Sequence, residues 1–98
     1  MTVTKTKNGT ELILAIEGRV DTTTALTLEK EIKDSISGVA KLVFDFAKVE
    51  YISSAGLRVL LTDQKTMNKQ GEMLIKNCSA DIIEIFEVTG FDNILTIK

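Results

Sequence analysis

The chain has 98 residues, 44% of them hydrophobic, with 12 basic and 14 acidic side chains and a formal net charge of -2. That length fits one compact domain, residues 1–98, around a single core, and the near-balanced charge offers no field to hold nucleic acid or an anionic membrane. There is no histidine, no tryptophan and one cysteine. Histidine general bases, Ser-His-Asp triads and Cys/His zinc sites are therefore absent by composition, and an enzyme is not expected.

Alternation opens the chain. Val3–Lys7 and Glu11–Gly18 flank Asn8-Gly9, a dipeptide that favours a tight type I′ turn, so the first two strands form an antiparallel hairpin. Leu12, Leu14 and Ile16 point to one face, and Ile13 and Ala15, also apolar, to the other. That pattern predicts a second strand inside the sheet and covered on both sides, with the more polar first strand at an edge. Asp21-Thr22-Thr23-Thr24 offers N-caps for a helix whose apolar stripe is Ala25, Leu28, Ile32 and Ile36, with Gly38 as its stop. Leu42–Phe46 is the next strand, followed by a short polar connection. The helix after Ser54 turns Leu57, Leu60, Leu61 and Met67 toward a core and places Arg58, Asp63, Lys65 and Lys69 elsewhere, ending at Gly71. Glu72–Lys76 makes another strand; Ser79 caps a helix through Ile82, Ile83 and Phe86 to Gly90; Ile94–Ile97 closes as a last short strand. Strands alternating with helices imply an α/β domain with a mixed, mostly parallel sheet, an N-terminal antiparallel hairpin and helices following the later strands.

The six glycines are dispersed, so neither G-x-x-x-x-G-K-[ST] nor G-x-G-x-x-G occurs. Asp21 and Asp45 are the carboxylates a catalytic pair would draw on, but nothing in the spacing joins them; cap and turn hydrogen bonding suit them better. Cys78 has no basic cluster or second cysteine beside it, reads as a half-buried filler, and fits a reducing cytosol. No apolar segment approaches the ~20 residues needed to span a bilayer, and the alternating N-terminus is unlike a signal peptide. The expectation is a soluble cytoplasmic domain with no catalytic residue, metal site or cofactor.

What remains is the junction Ile52-Ser53-Ser54-Ala55-Gly56-Leu57. Two hydroxyls sit where a loop becomes a helix. A helix N-terminus carries unpaired N–H groups and partial positive charge, which suits an anion such as phosphate. Either serine suffices as a cap. If Ser53 caps, Ser54 falls in the first helical turn with its hydroxyl accessible.

Taken whole, the run from Val43 through Asp45, Val49 and Tyr51-Ile52 to Ser53-Ser54-Ala55-Gly56-Leu57 resembles the signature of the STAS family, the domain of bacterial anti-sigma factor antagonists. The likeness extends over the chain: the opening hairpin, Gly18-Arg19-Val20-Asp21 before the first helix, and Gly90-Phe91 before Ile94-Leu95. The resemblance implies that the serine two positions before the glycine, Ser54, is phosphorylated by a partner serine kinase that is itself the anti-sigma factor, and that a serine phosphatase resets it. It also implies that the Asp21 loop lies beside the serine loop, with Asp21, Ser53, Ser54, Ala55, Gly56 and Leu57 forming the partner-binding surface. Two positions depart from the family pattern. Many antagonists have Asp where this chain has Ser53, and Ser or Thr where it has Ala55; the first leaves Ser53 as a competing acceptor. Three other readings stand beside this one: a non-switching STAS adaptor of a transport ATPase or signalling assembly; a nucleotide-binding or hydrolysing domain, which the missing phosphate loop and histidine disfavour; and a purely structural module, which explains the caps but not the whole ordered pattern.

Overall fold

The computed structural model describes residues 1–98. Strands β1 (Thr2–Asn8), β2 (Glu11–Val20), β3 (Lys41–Ile52) and β4 (Glu72–Lys76) form one sheet in the order β1-β2-β3-β4. The β1–β2 pair is antiparallel and the other two pairs are parallel, the mixed α/β arrangement expected. Helix α1 (Thr22–Lys33) connects β2 to β3, α2 (Ser54–Gln70) connects β3 to β4, and α3 (Ala80–Thr89) leads to a 3₁₀ turn at Phe91–Asn93.

Register explains which face becomes the core. Leu12 and Leu14 stand beside Leu42 and Phe44, which stand beside Met73 and Ile75. All six are buried, and they form one apolar cluster with Ala25, Leu28 and Ile32 of α1, Leu57, Leu60 and Met67 of α2, and Ile82 and Phe86 of α3. Each such side chain, fully buried, contributes about 1.5–3 kcal/mol, and Phe44 and Phe46 add an edge-to-face contact with ring centroids 6.1 Å apart. The opposite face carries the rung Ile13–Val43–Leu74, of which only Val43 is buried. So β2 is covered by helices on one side rather than two; Ile13 and Ala15 are half-buried among their cross-strand neighbours. Lys41 holds the next rung, 3.9 Å from Glu11 and 4.0 Å from Glu72.

Four local expectations change. The polar stretch after Phe46 is not a connection: β3 continues to Ile52. It does so through two bulges, where β3 gains one residue against β2 between Ala15 and Glu17 and another between Gly18 and Arg19, which breaks the period-2 pattern that marks a strand. Helix α1 stops at Lys33, short of Gly38; Ser35 turns back to the Ile32 carbonyl, and Ser-Ile-Ser-Gly is a poor helical sequence, yet Ile36 still packs against the core. Asp63 is turned inward and buried. The last strand shrinks to one parallel bridge, Ile97 beside Ile75.

Helix α2 is fixed at both ends by close approach. At its C-terminus Gly71 has extended backbone, φ 171°, and a Cβ there would lie 1.9 Å from the Ala40 carbonyl oxygen, so space rather than conformation selects glycine. The adjacent Gln70 amide donates to the carbonyls of Ile36 and Val39 at 2.9 and 2.7 Å. No helix is long and apolar enough to cross a membrane.

Candidate functional site

Because β2 and β3 run parallel and end level, Val20 beside Ile52, the loops that follow them leave the sheet side by side. The Ser53 N–H donates to the Val20 carbonyl at 2.8 Å, tying the serine loop to the Asp21 loop. Each loop starts a helix. Asp21 accepts from the N–H groups of Thr23 and Thr24 at 3.1 and 3.0 Å, while its own N–H donates to the Thr24 hydroxyl at 2.8 Å, a reciprocal capping box. The bonds donated to the carboxyl, from the Thr24 N–H first and the Thr24 hydroxyl (3.1 Å) next, hold Asp21 below the usual carboxylate range.

Ser53 is the N-cap of α2: its Oγ accepts from the Gly56 N–H at 3.4 Å, and its carbonyl takes the first helical bond from Leu57 at 2.9 Å. With Ser53 occupied in this way, Ser54 is the first helical residue, exposed and in no side-chain hydrogen bond. Gly56 lets the first turn sit directly on the strand ends. A Cβ there would lie 2.7 Å from Ile52 Cγ1 and 2.8 Å from Val20 Cγ1, and both neighbours are β-branched and stiff. The glycine is thus a packing requirement that holds the serines at the rim.

The six residues the sequence singles out come together, with unequal exposure. Ser54 is exposed; Asp21, Ser53 and Ala55 are half-buried; Gly56 and Leu57 are buried and shape the surface from below. Around them the rim is amphipathic. Arg19 lies over the Tyr51 ring, 4.5 Å from its centroid. Between the two helices runs a groove lined by Thr22, Leu26 and Glu29 of α1 and by Ala55, Arg58 and Val59 of α2; Leu26, 71% exposed, gives it an apolar lip. Of the rim, Tyr51 lies inside the run the sequence singles out and Arg58 directly after it, readable as solvated face or as docking surface; Leu26 has no signal in the sequence that separates it from an ordinary surface position.

Other candidates stand apart. Asp45 pairs with Ala15 in mid-sheet, well before the strand end that carries Asp21, so no carboxylate pair forms. It accepts from the Asn77 amide and the Ala47 N–H, each at 3.1 Å, which hold it below the usual range, and it steadies Asn77, whose φ is 62°. Cys78 is half-buried, and burial pushes its thiol up to about 11, far from the thiolate a nucleophile needs. No three His, Cys, Asp or Glu side chains cluster to hold a metal.

The STAS domain profile matches residues 2–98 of this domain, with its four-stranded mixed sheet: the chain belongs to the STAS domain family. Among its relatives, BtrV of Bordetella bronchiseptica, named for anti-sigma factor antagonism, is 34% identical over 99 residues, spanning 99% of this chain and 85% of its own. The anti-sigma-B factor antagonist of Bacillus subtilis is 29% identical over 93 residues, 94% of this chain and 85% of the relative. In structure the chain is similar to the Bacillus anti-sigma factor antagonist SpoIIAA, at 13% identity and TM-score 0.78 for the unphosphorylated form, covering 99% of this chain and 87% of the other. For the phosphorylated form the values are 14% and 0.77, over 99% and 91%.

Proposed function

We propose that this domain is a phosphorylation-switched anti-sigma factor antagonist. Unmodified, it binds an anti-sigma factor serine kinase through the rim formed by Asp21, Ser53, Ser54 and Ala55, and the kinase releases its sigma factor. The kinase then transfers the γ-phosphoryl group of ATP to Ser54 Oγ; the hydroxyl proton is lost, ADP departs and the complex separates. A serine phosphatase restores the hydroxyl by hydrolysis, releasing inorganic phosphate. The domain is the substrate in this cycle, not the enzyme, and the cycle belongs to the cytoplasm.

One observation carries the reading: of two adjacent serines, one is committed to the cap and the other is an exposed hydroxyl at the first position of α2. Phosphate adds about -1.5 to -2 charges. At a helix N-terminus its own domain tolerates that charge, because free N–H groups and the helix dipole favour it. The fold therefore stays while the surface seen by the partner changes, as a reversible switch requires. The names of the relatives support the partner class, and the similar match to both forms of SpoIIAA supports a fold indifferent to the modification.

The test uses the antagonist's cognate kinase and ATP. Mass analysis is expected to find one phosphate on Ser54 and none in Ser54→Ala. Ser54→Ala should bind the kinase as the unmodified protein does, and Ser54→Asp at least about tenfold more weakly, about 1.4 kcal/mol or more. Equal affinity of the two variants would overturn the switch.

A further inference from the structure

Arg58 follows Ser54 by one helical turn. Residues four apart on a helix share a face, with Cβ atoms about 5–6 Å apart, and helical side chains lean toward the N-terminus, so a side chain as long as Arg58 is within reach of a group carried at position 54. Both positions are exposed. The titratable side chains around this corner are few: the charged Glu29 from α1 and Arg19 and Asp21 at the end of β2, and the neutral Tyr51 at the end of β3. Each already has a partner. Glu29 is 3.3 Å from Lys33, Arg19 lies over Tyr51, and Asp21 is bonded to the first turn of α1. Arg58 has no partner of any of these kinds: it is in no ion pair, no side-chain hydrogen bond and no cation–π contact.

We infer that Arg58 is the built-in counter-ion of the Ser54 phosphate. The inference rests on the proposed phosphorylation of Ser54 and states what that modification does next. Once the ester forms, the guanidinium takes two phosphate oxygens in a charge-assisted pair on its own helix. Two features of the rim change together: a neutral hydroxyl becomes an anion, and the one unengaged cation of the groove is withdrawn from a partner. The phosphorylated surface is then a closed local pair rather than an open negative charge. Arg58 is a positioning residue in this account; it plays no part in the transfer itself.

The test installs phosphoserine at position 54 during translation, without any kinase, and titrates the phosphate by ³¹P NMR. Its second ionisation, near pH 6 for an unpaired phosphoserine, should fall in the otherwise wild-type domain. It should rise again by about half a pH unit in Arg58→Gln, with Arg58→Lys between the two. Arg19→Gln should leave it unchanged, and all unphosphorylated variants should melt as the parent does. Coincident titration curves for the parent and Arg58→Gln would overturn the inference, as would a shift in Arg19→Gln alone. Because no kinase is used, that failure leaves the proposed switch standing; a domain the kinase does not modify would fail the switch and leave this titration untouched.

Discussion

The two sides of α2 are built to different rules. The side turned to the sheet and to α1 carries Gly56, Leu57, Val59, Leu60, Asp63 and Met67, all buried, while the outer side carries Ser54, Arg58, Thr62, Lys65 and Lys69, all exposed. None of the three cations on the outer side is in an ion pair. A charge added outside meets solvent, helix dipole and mobile cations. A charge held inside meets apolar packing, and Asp63 shows the consequence. Its Oδ2 has no hydrogen-bond partner, and burial first, then the nearby Glu29, pushes its carboxyl up to about 7. One helix thus separates a position where added charge is tolerated from one where it is costly.

The sharpest way to break that comparison is to remove the inner charge. The Asp63 carboxyl ionises near 3.9 when unfolded and near 7 when folded. Between those values the unfolded chain has released a proton that the native protein still holds, so stability is fully present below about pH 4 and is lost as pH rises through 7. The loss is on the order of 3–4 kcal/mol if Asp63 acts alone. Asp63→Asn should abolish this limb and melt higher than the parent at pH 8, the two converging near pH 4. Parallel melting curves across that range would show that Asp63 finds solvent or a partner when ionised.

Gly56→Ala probes the same inner side by volume. The new methyl must displace Ile52 or Val20 at the strand ends, both nearly without exposure, at a cost of about 1–3 kcal/mol. Denaturant unfolding reads it directly. Because the shift lifts the first turn of α2 from its seat, phosphorylation at Ser54 should slow as well. A variant as stable as the parent would mean that the junction has slack.

Much of this was legible in the residues. The caps at Asp21, Ser53 and Ser79 and the stops at Gly71 and Gly90 follow from local chemistry and stand in the structure. The hairpin also stands, but its turn falls on Gly9-Thr10, with Asn8 paired to Glu11 and no positive φ at Asn8, so it is not the type I′ Asn-Gly turn expected. What escaped depends on tertiary placement. The end of β3 is bulged, so its alternation fails just where it carries Tyr51 and Ile52 to the rim. Asp63 reads as surface because a carboxylate is seldom buried without a partner, and only the packing of α1 against α2 turns it inward. Arg58 reads either as solvated face or as docking surface, and the residues alone do not choose until the ion pairs around it are known. The motif located the serines; the register of β2 against β3 brought Asp21 beside them.

The smallest expected effect separates the two serines. Ser53→Ala removes the side-chain acceptor for the Gly56 N–H and should cost about 1 kcal/mol, measured as a lower urea midpoint at unchanged slope. Ser54→Ala removes a hydroxyl with no such bond, and its midpoint should stay within about 0.5 kcal/mol of the parent. Under kinase and ATP the pattern inverts: Ser53→Ala still accepts phosphate, and Ser54→Ala does not. If instead Ser54→Ala proves the more destabilised, the cap has moved by one residue. Ser53 would then be the free hydroxyl at the rim and the acceptor to test, and Arg58, five residues beyond it, would no longer share its face of α2.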